Sequence, residues 1–301
     1  MATAKFNVQL GMGGRYKAEV YDAQGNLKRE SEWTDNLITN SAFNNWFDTT
    51  STVGFSLSYC QVGTDNTTPD PSDTQLGSMI AETASANTAS FSQQTSVAPF
   101  YTQVERTWTF GLGDVVGNIS EVGIRSGSGT GGYLVSRALF LDGMGSPTTI
   151  TVLADEQLRI TYQMRCQFPD QDIVTTVDGY SVTLRACEVD DSNYWNPTVS
   201  WRFSPSNNSI AGRAYTGVIG SITGNPSGTS YSSSSFSSST YVADSLTRTS
   251  TVIWDITTAN DSLQSFDMYA GHRWQFQVSP TVDKTADDQL TIELTTSAAR
   301  V

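Results

Sequence analysis

The sequence predicts an all-β protein: two antiparallel β-sandwich domains, with one short helix in the first. Three observations carry this. The composition joins 24 glycines and 11% aromatics to only 16% charged residues, a mixture that suits strands and tight turns and is poor in the residues long helices prefer. Alternating apolar runs recur at intervals of roughly 10–15 residues with turn signals between them, the spacing of a sandwich. Only one segment shows helical periodicity. The predicted domains are residues 1–169, with the helix near 41–48, and residues 170–301.

Residues 6–34 read as a hairpin: Tyr16, Ala18 and Val20 alternate with Lys17, Glu19 and Tyr21, and the turn around Gly25 supplies a residue able to take positive φ. Residues 32–76 read as a framework that sets the domain's geometry, because the Asn, Thr, Asp and Ser at its junctions bond locally and fix caps and turns. Within it, Asn40 or Ser41 is the expected cap of a helix in which Ala42, Phe43, Trp46 and Phe47 share one face. Such a helix would plug a sandwich end or cover a sheet edge. Residues 55–62 alternate as a strand. Ser72 with Gln75 resembles a capping box opening a single turn over 74–80. Residues 81–103 are small and polar, an excursion or exposed strand. Strands are expected at 104–110, 118–124, 133–141, 150–152 and 158–164.

Pro169 and the polar, acidic segment after it mark the domain boundary. The second half restarts at 180–187 and 198–203. Residues 224–240 form a Ser/Gly-rich tract that cannot bury enough apolar area to drive its own folding. It reads as a long loop, exposed at a tip or packed on a neighbour, with Tyr231, Phe236 and Tyr241 as anchors every five residues. Two segments are echoed. Residues 104–110 (VERTWTF) resemble 246–252 (LTRTSTV), and 153–160 (LADEQLRI) resemble 285–292 (TADDQLTI). Two sandwiches of related topology would explain this, as would coincident turn chemistry.

The net charge of −13 repels phosphate backbones and argues against a nucleic-acid partner. One histidine, His272, argues against His-rich metal sites and most His-based acid–base chemistry. Cys60, Cys166 and Cys187 are odd in number and widely spaced, as expected of buried free thiols. No apolar run reaches the roughly 18 residues of a membrane span, and the first residues lack a signal-peptide core. Synthesis in a cytoplasm is therefore expected.

No phosphate-binding loop, HExxH, paired CxxC or GxSxG occurs, and no catalytic residue or cofactor is expected. Asp65, Asp70 and Asp73 lie close in sequence; they suit turn capping, and a calcium site is the alternative, though the EF-hand pattern is absent. The adjacent acids Asp190 and Asp191 sit beside Tyr194 and Trp195, aromatics whose faces suit a sugar or peptide contact. With Tyr231 and Phe236 they are the candidate surface-contact residues; core packing or a subunit interface is the other reading.

Several of these segments together resemble the tail-fibre and minor tail proteins of tailed bacteriophages. The resemblance rests on residues 36–40 (NLITN) before the helix, on 62–64 (VGT) followed by Pro69 and 72–76 (SDTQL), and on 119–124 (ISEVGI) with 136–140 (SRALF). Residues 274–292 are similar in character. The likeness covers most of 16–165 and again about 246–300. It implies a non-enzymatic virion protein of a tail fibre, baseplate or tail tip, assembled as a symmetric homo-oligomer with other virion proteins. A capsid decoration or collar protein is the alternative within the virion. An adhesin recognising a host glycan or receptor is an alternative of another class.

Overall fold

The computed structural model describes residues 3–48, 55–190, 203 and 211–301. In chain order the first elements are β1 (Thr3–Asp22), β2 (Leu27–Glu30), β3 (Thr34–Asp35), β4 (Leu37–Ile38), the helix α1 (Asn40–Asp48), β5 (Tyr59–Gly63), β6 (Met79–Thr83) and β7 (Ser90–Gln94). There follow β8 (Tyr101–Thr109), β9 (Gly117–Ile119), β10 (Glu121–Arg125), β11 (Leu134–Leu139), β12 (Ile150–Val152), β13 (Glu156–Gln167), β14 (Ile173–Val177) and β15 (Tyr180–Ala186). The last are β16 (Gly212–Tyr215), β17 (Ser230–Ser232), β18 (Ser235–Ser238), β19 (Thr247–Trp254), β20 (Ser262–Tyr269), β21 (Arg273–Asp283) and β22 (Leu290–Arg300). The all-β class holds, and α1 is the one helix among the described residues.

The architecture hangs on β1. Its 20 residues extend over about 65 Å at the rise of a strand. Phe6, Val8, Leu10, Met12, Tyr16, Ala18 and Val20 are all buried, and their period of two places them on one face. Thr3 to Met12 pair in parallel with β22, while Gly11 to Asp22 pair antiparallel with β13. One sheet of order β18-β19-β22-β1-β13-β8-β7 results, with β2 and β3 also on β1. Two shorter sheets cover its apolar face. The six-stranded sheet β14-β15-β21-β20-β16-β17 meets the first half of β1, where the Phe6 ring centroid lies 5.0 Å from that of Phe276. The five-stranded sheet β4-β11-β10-β5-β6 meets the second half, where the Tyr16 and Ser136 hydroxyls hydrogen-bond. The arrangement is therefore two sandwich-like stacks in tandem sharing β1. The expected boundary near residue 170 does not divide these sheets, because residues 3–12 lie with strands from beyond it.

The echoed segments occupy related places. β8 pairs with β13 and β19 with β22, and the two antiparallel pairs flank β1 on its opposite sides. Their registers differ by two residues: Ile160 faces Trp108, whereas Ile292 faces Val252 rather than Ser250. The turns match in chemistry. The Glu156 carboxylate accepts the Leu153 N–H, and the Asp288 carboxylate accepts the Thr285 N–H.

α1 forms as expected, with Ala42, Phe43, Trp46 and Phe47 buried. Its cap is Thr39 rather than Asn40 or Ser41: the Thr39 hydroxyl accepts the Ala42 N–H at 3.2 Å and donates to the Leu134 carbonyl. The helix joins the two halves. Phe47 stacks on Tyr241 at 5.3 Å, Trp46 lies edge-on to Phe203 at 5.6 Å, and Phe43 lies edge-on to Phe55 at 6.2 Å. Burying these three rings is worth roughly 1.5–3 kcal/mol each.

Further expectations differ from the structure. Residues 74–80 contain no helical turn; Met79 and Ile80 open β6, because the Asp70 side chain captures the Ser72 N–H and holds 70–73 as a tight turn. The strand expected at 55–62 begins only at Tyr59, and the one expected at 118–124 breaks at Ser120 into β9 and β10, which belong to different sheets. The polar, acidic segment after Pro169 contains β14. The Ser/Gly tract supplies β17 to the edge of the six-stranded sheet and β18 to the edge of the nine-stranded one, so it crosses between layers. The three cysteines are free and buried, as expected.

Candidate functional site

Residues from 62–64, 72–76, 119–124 and 136–140 meet at one place. Glu121 on β10 and Arg137 on β11 are diagonal neighbours, since Arg137 stands opposite Gly123, and both are buried. Arg137 Nε donates to Glu121 Oε2 at 3.0 Å, Nη1 to Asp73 Oδ2 at 2.8 Å, and Nη2 to Asp65 Oδ2 at 2.8 Å. Glu121 also accepts the Ser78 N–H at 2.7 Å and the Gly77 N–H at 3.1 Å. The 64–78 loop is thus clamped onto the sheet by one guanidinium and one carboxylate. Glycine is required twice for the approach: a Cβ on Gly63 would stand 2.4 Å from Glu121 Oε1, and one on Gly77 only 2.0 Å from Asp65 Oδ2. Burial opposes the charge on Arg137, but its bonds to Asp73 and Glu121 outweigh this and its pKa is raised. Burial likewise opposes ionisation of Asp65; bonds from Thr67 and Arg137 prevail and hold its carboxyl below the usual range.

This geometry decides the role of the acidic loop. Asp65 and Asp73 answer Arg137, and Asp70 accepts from Ser72. A divalent cation would have to displace a buried guanidinium. Among the described residues no group of three or more His, Cys, Asp and Glu is placed to hold a metal ion.

The six-stranded sheet carries a second buried arginine. Arg273 Nη1 donates to Asp267 Oδ1 at 2.7 Å, with both residues fully buried, and the Tyr215 hydroxyl donates to Asp267 Oδ2 at 2.6 Å. Burial, then the Asp267 charge, pushes the Tyr215 hydroxyl's pKa up. His272, in the turn before β21, is fully buried with its ring centroid 4.8 Å from that of Phe168. Burial pushes its pKa down to about 3. A neutral, enclosed imidazole of this kind cannot exchange protons with a substrate near pH 7.

Of the candidate contact residues, Tyr194 and Trp195 lie outside the described residues, as does Asp191. Tyr231 and Phe236 are half-buried and pack against the core. The Tyr231 hydroxyl donates to Asp261 at 2.7 Å, and its carbonyl accepts from the Trp254 indole. Their rings hold the crossing tract between the two layers. A cleft of about 330 Å³ opens between the layers where β1 begins; Phe6, Phe276, Val278 and Ile292 line it, with Asp178, Asp283, Lys284 and Asp288 among its polar residues. Sequence reasoning missed this cleft and gave Glu121 and Arg137 no role. The available signal was one acid and one base, Glu121 and Arg137, each leading into an apolar run at 122–124 and 138–140.

Fold and site together define an all-β, sandwich-type protein whose buried charges join loops to sheets. No family model, no curated protein and no solved structure matches the chain.

Proposed function

We propose that the chain is a non-enzymatic structural component of a bacteriophage tail, part of a fibre, baseplate or tail-tip appendage, acting by symmetric assembly with other virion proteins and in host attachment. The observation that supports this reading is the fate of its motifs. Residues 62–64, 72–76, 119–124 and 136–140 supply the ion cluster around Arg137 or the glycines and strands that seat it. They are architectural in this chain, as the resemblance implies for the family. Among the described residues β7 is a sheet edge, which gives an assembling protein a place to join neighbours.

The test is the mass of the purified chain by light scattering, over a range of concentrations and with and without calcium. A discrete trimer, hexamer or larger ring is expected, unchanged by calcium because Arg137 occupies the acidic loop. A monomer at every concentration would count against self-assembly.

A further inference from the structure

β14 is an edge strand unlike β7 and β18. Its sequence, Ile-Val-Thr-Thr-Val, is β-branched throughout and carries no charge, proline or glycine. Such residues favour the extended state, whereas natural edges are ordinarily blunted by lysine, proline or a bulge. The edges β7 and β18 are largely Ser and Gln. Among the described residues β14 pairs only with β15, and no further hydrogen bond reaches its backbone. Val174 is 66% exposed. Beside its last residue, Val177, lies the apolar cleft between the layers.

We propose that β14 accepts an extended segment of a partner protein as a seventh, antiparallel strand, and that this segment carries lysine or arginine ahead of alternating apolar residues. Alternation follows from the strand it joins: Ile173, Thr175 and Val177 turn inward and Val174 and Thr176 outward, so every second residue of the newcomer would cover the core margin. The basic lead follows from charge. Asp178, Asp283 and Asp288 border the cleft at the Val177 end against the single cation Lys284. An antiparallel strand brings its N-terminal residues to that end. Asp172, at the other end, is already paired with Arg185.

The same charges disfavour a second copy of this chain as the occupant. Two β14 strands paired antiparallel about Thr175 would set Asp172 of each opposite Asp178 of the other, and like charges directly across a ladder are destabilising. The inference does not depend on the tail-protein reading, since it rests on strand chemistry and charge alone.

The test is titration of the intact chain with two heptapeptides, alternating valine and threonine led by two lysines or by two glutamates, followed through backbone amide resonances. The lysine peptide is expected to shift the amides of 173–177 and to bind about tenfold more tightly than the glutamate peptide at low salt, a gap that closes as salt is raised. Val174→Lys, at an exposed site, should remove the binding. Asp178→Asn, which tolerates the positive φ of this turn residue, should reduce the preference for lysine while leaving the fold intact. Equal binding of both peptides, shifts confined to another surface, no binding at all, or a dimer whose contacts map to β14 would each overturn the proposal.

Discussion

At Arg137 one guanidinium holds three carboxylates, and one of them, Glu121, is wholly buried. Removing the cation strands that charge, which typically costs about 3–5 kcal/mol. Arg137→Met is therefore expected to lower stability by that order, read as the shift in urea midpoint at unchanged m-value. Pairing it with Glu121→Gln should recover part of the loss, because the stranded charge rather than the lost bond dominates. A loss below about 1 kcal/mol would mean that the acids relax into water. His272 sets the acid limb. An unfolded histidine binds its proton near pH 6.5, while the buried one does so only at about 3. Between these values the unfolded chain holds a proton that the folded chain lacks, so stability falls as pH falls, by up to roughly 1.4 kcal/mol per pH unit. The lowered carboxyls of Asp65, Asp70 and Glu82 lose their contribution only as pH falls through their own, lower range. Between pH 6 and 4.5 the decline is thus His272's, and His272→Gln should flatten it. The same slope in the variant would place the titrating group elsewhere.

Elements were legible in the sequence where a local pattern carried its own cause. α1 is one such case, because the spacing of Phe43, Trp46 and Phe47 fixes its buried face. The acidic turns at 153–156 and 285–288 are another, since the carboxylate that closes each lies three residues from the N–H it accepts. Where a choice depended on a distant partner, local reasoning failed. Thr39, Asn40 and Ser41 are all competent caps, and Thr39 takes the role because β4 pairs with β11 and brings the Leu134 carbonyl to its hydroxyl. The Ser/Gly tract lacks apolar area of its own, yet β16 and β19 template it into β17 and β18, a tertiary override of composition. Its one local signal was the spacing of Tyr231 and Phe236. In 170–179 the acids Asp170, Asp172 and Asp178 give the segment a polar character, yet the five residues between Asp172 and Asp178 are all β-branched and form β14. Of the candidate site, the acidic loop was visible, but the clamp was not: Arg137 stands 64 residues from Asp73 in the chain, and only strand pairing brings them together.

At the scale of the whole molecule the two halves are interlocked through β1, whose residues 3–12 pair with β22 from the second half and residues 11–22 with β13 from the first. Deleting residues 1–12 leaves every strand of the β13–β8–β7 side in place but strips β22 of its inner partner. Phe6, Val8, Leu10 and Met12 leave the core with it. At roughly 1.5–3 kcal/mol for each side chain, the lost burial is about 6–12 kcal/mol, comparable to the 5–15 kcal/mol that holds a typical domain folded. The second half is left with a reduced margin of stability, whereas the first retains its sheets and the Arg137 clamp. In calorimetry the intact chain is expected to unfold in one transition, because β1 and α1 couple the two stacks. The shortened chain should show two, the lower one accompanied by loss of the near-ultraviolet signal from Trp254 and Trp274, both buried in the second half. A single transition at nearly the original temperature would mean that residues 170–301 hold together without β1, and that the shared strand is an ornament on two independent sandwiches.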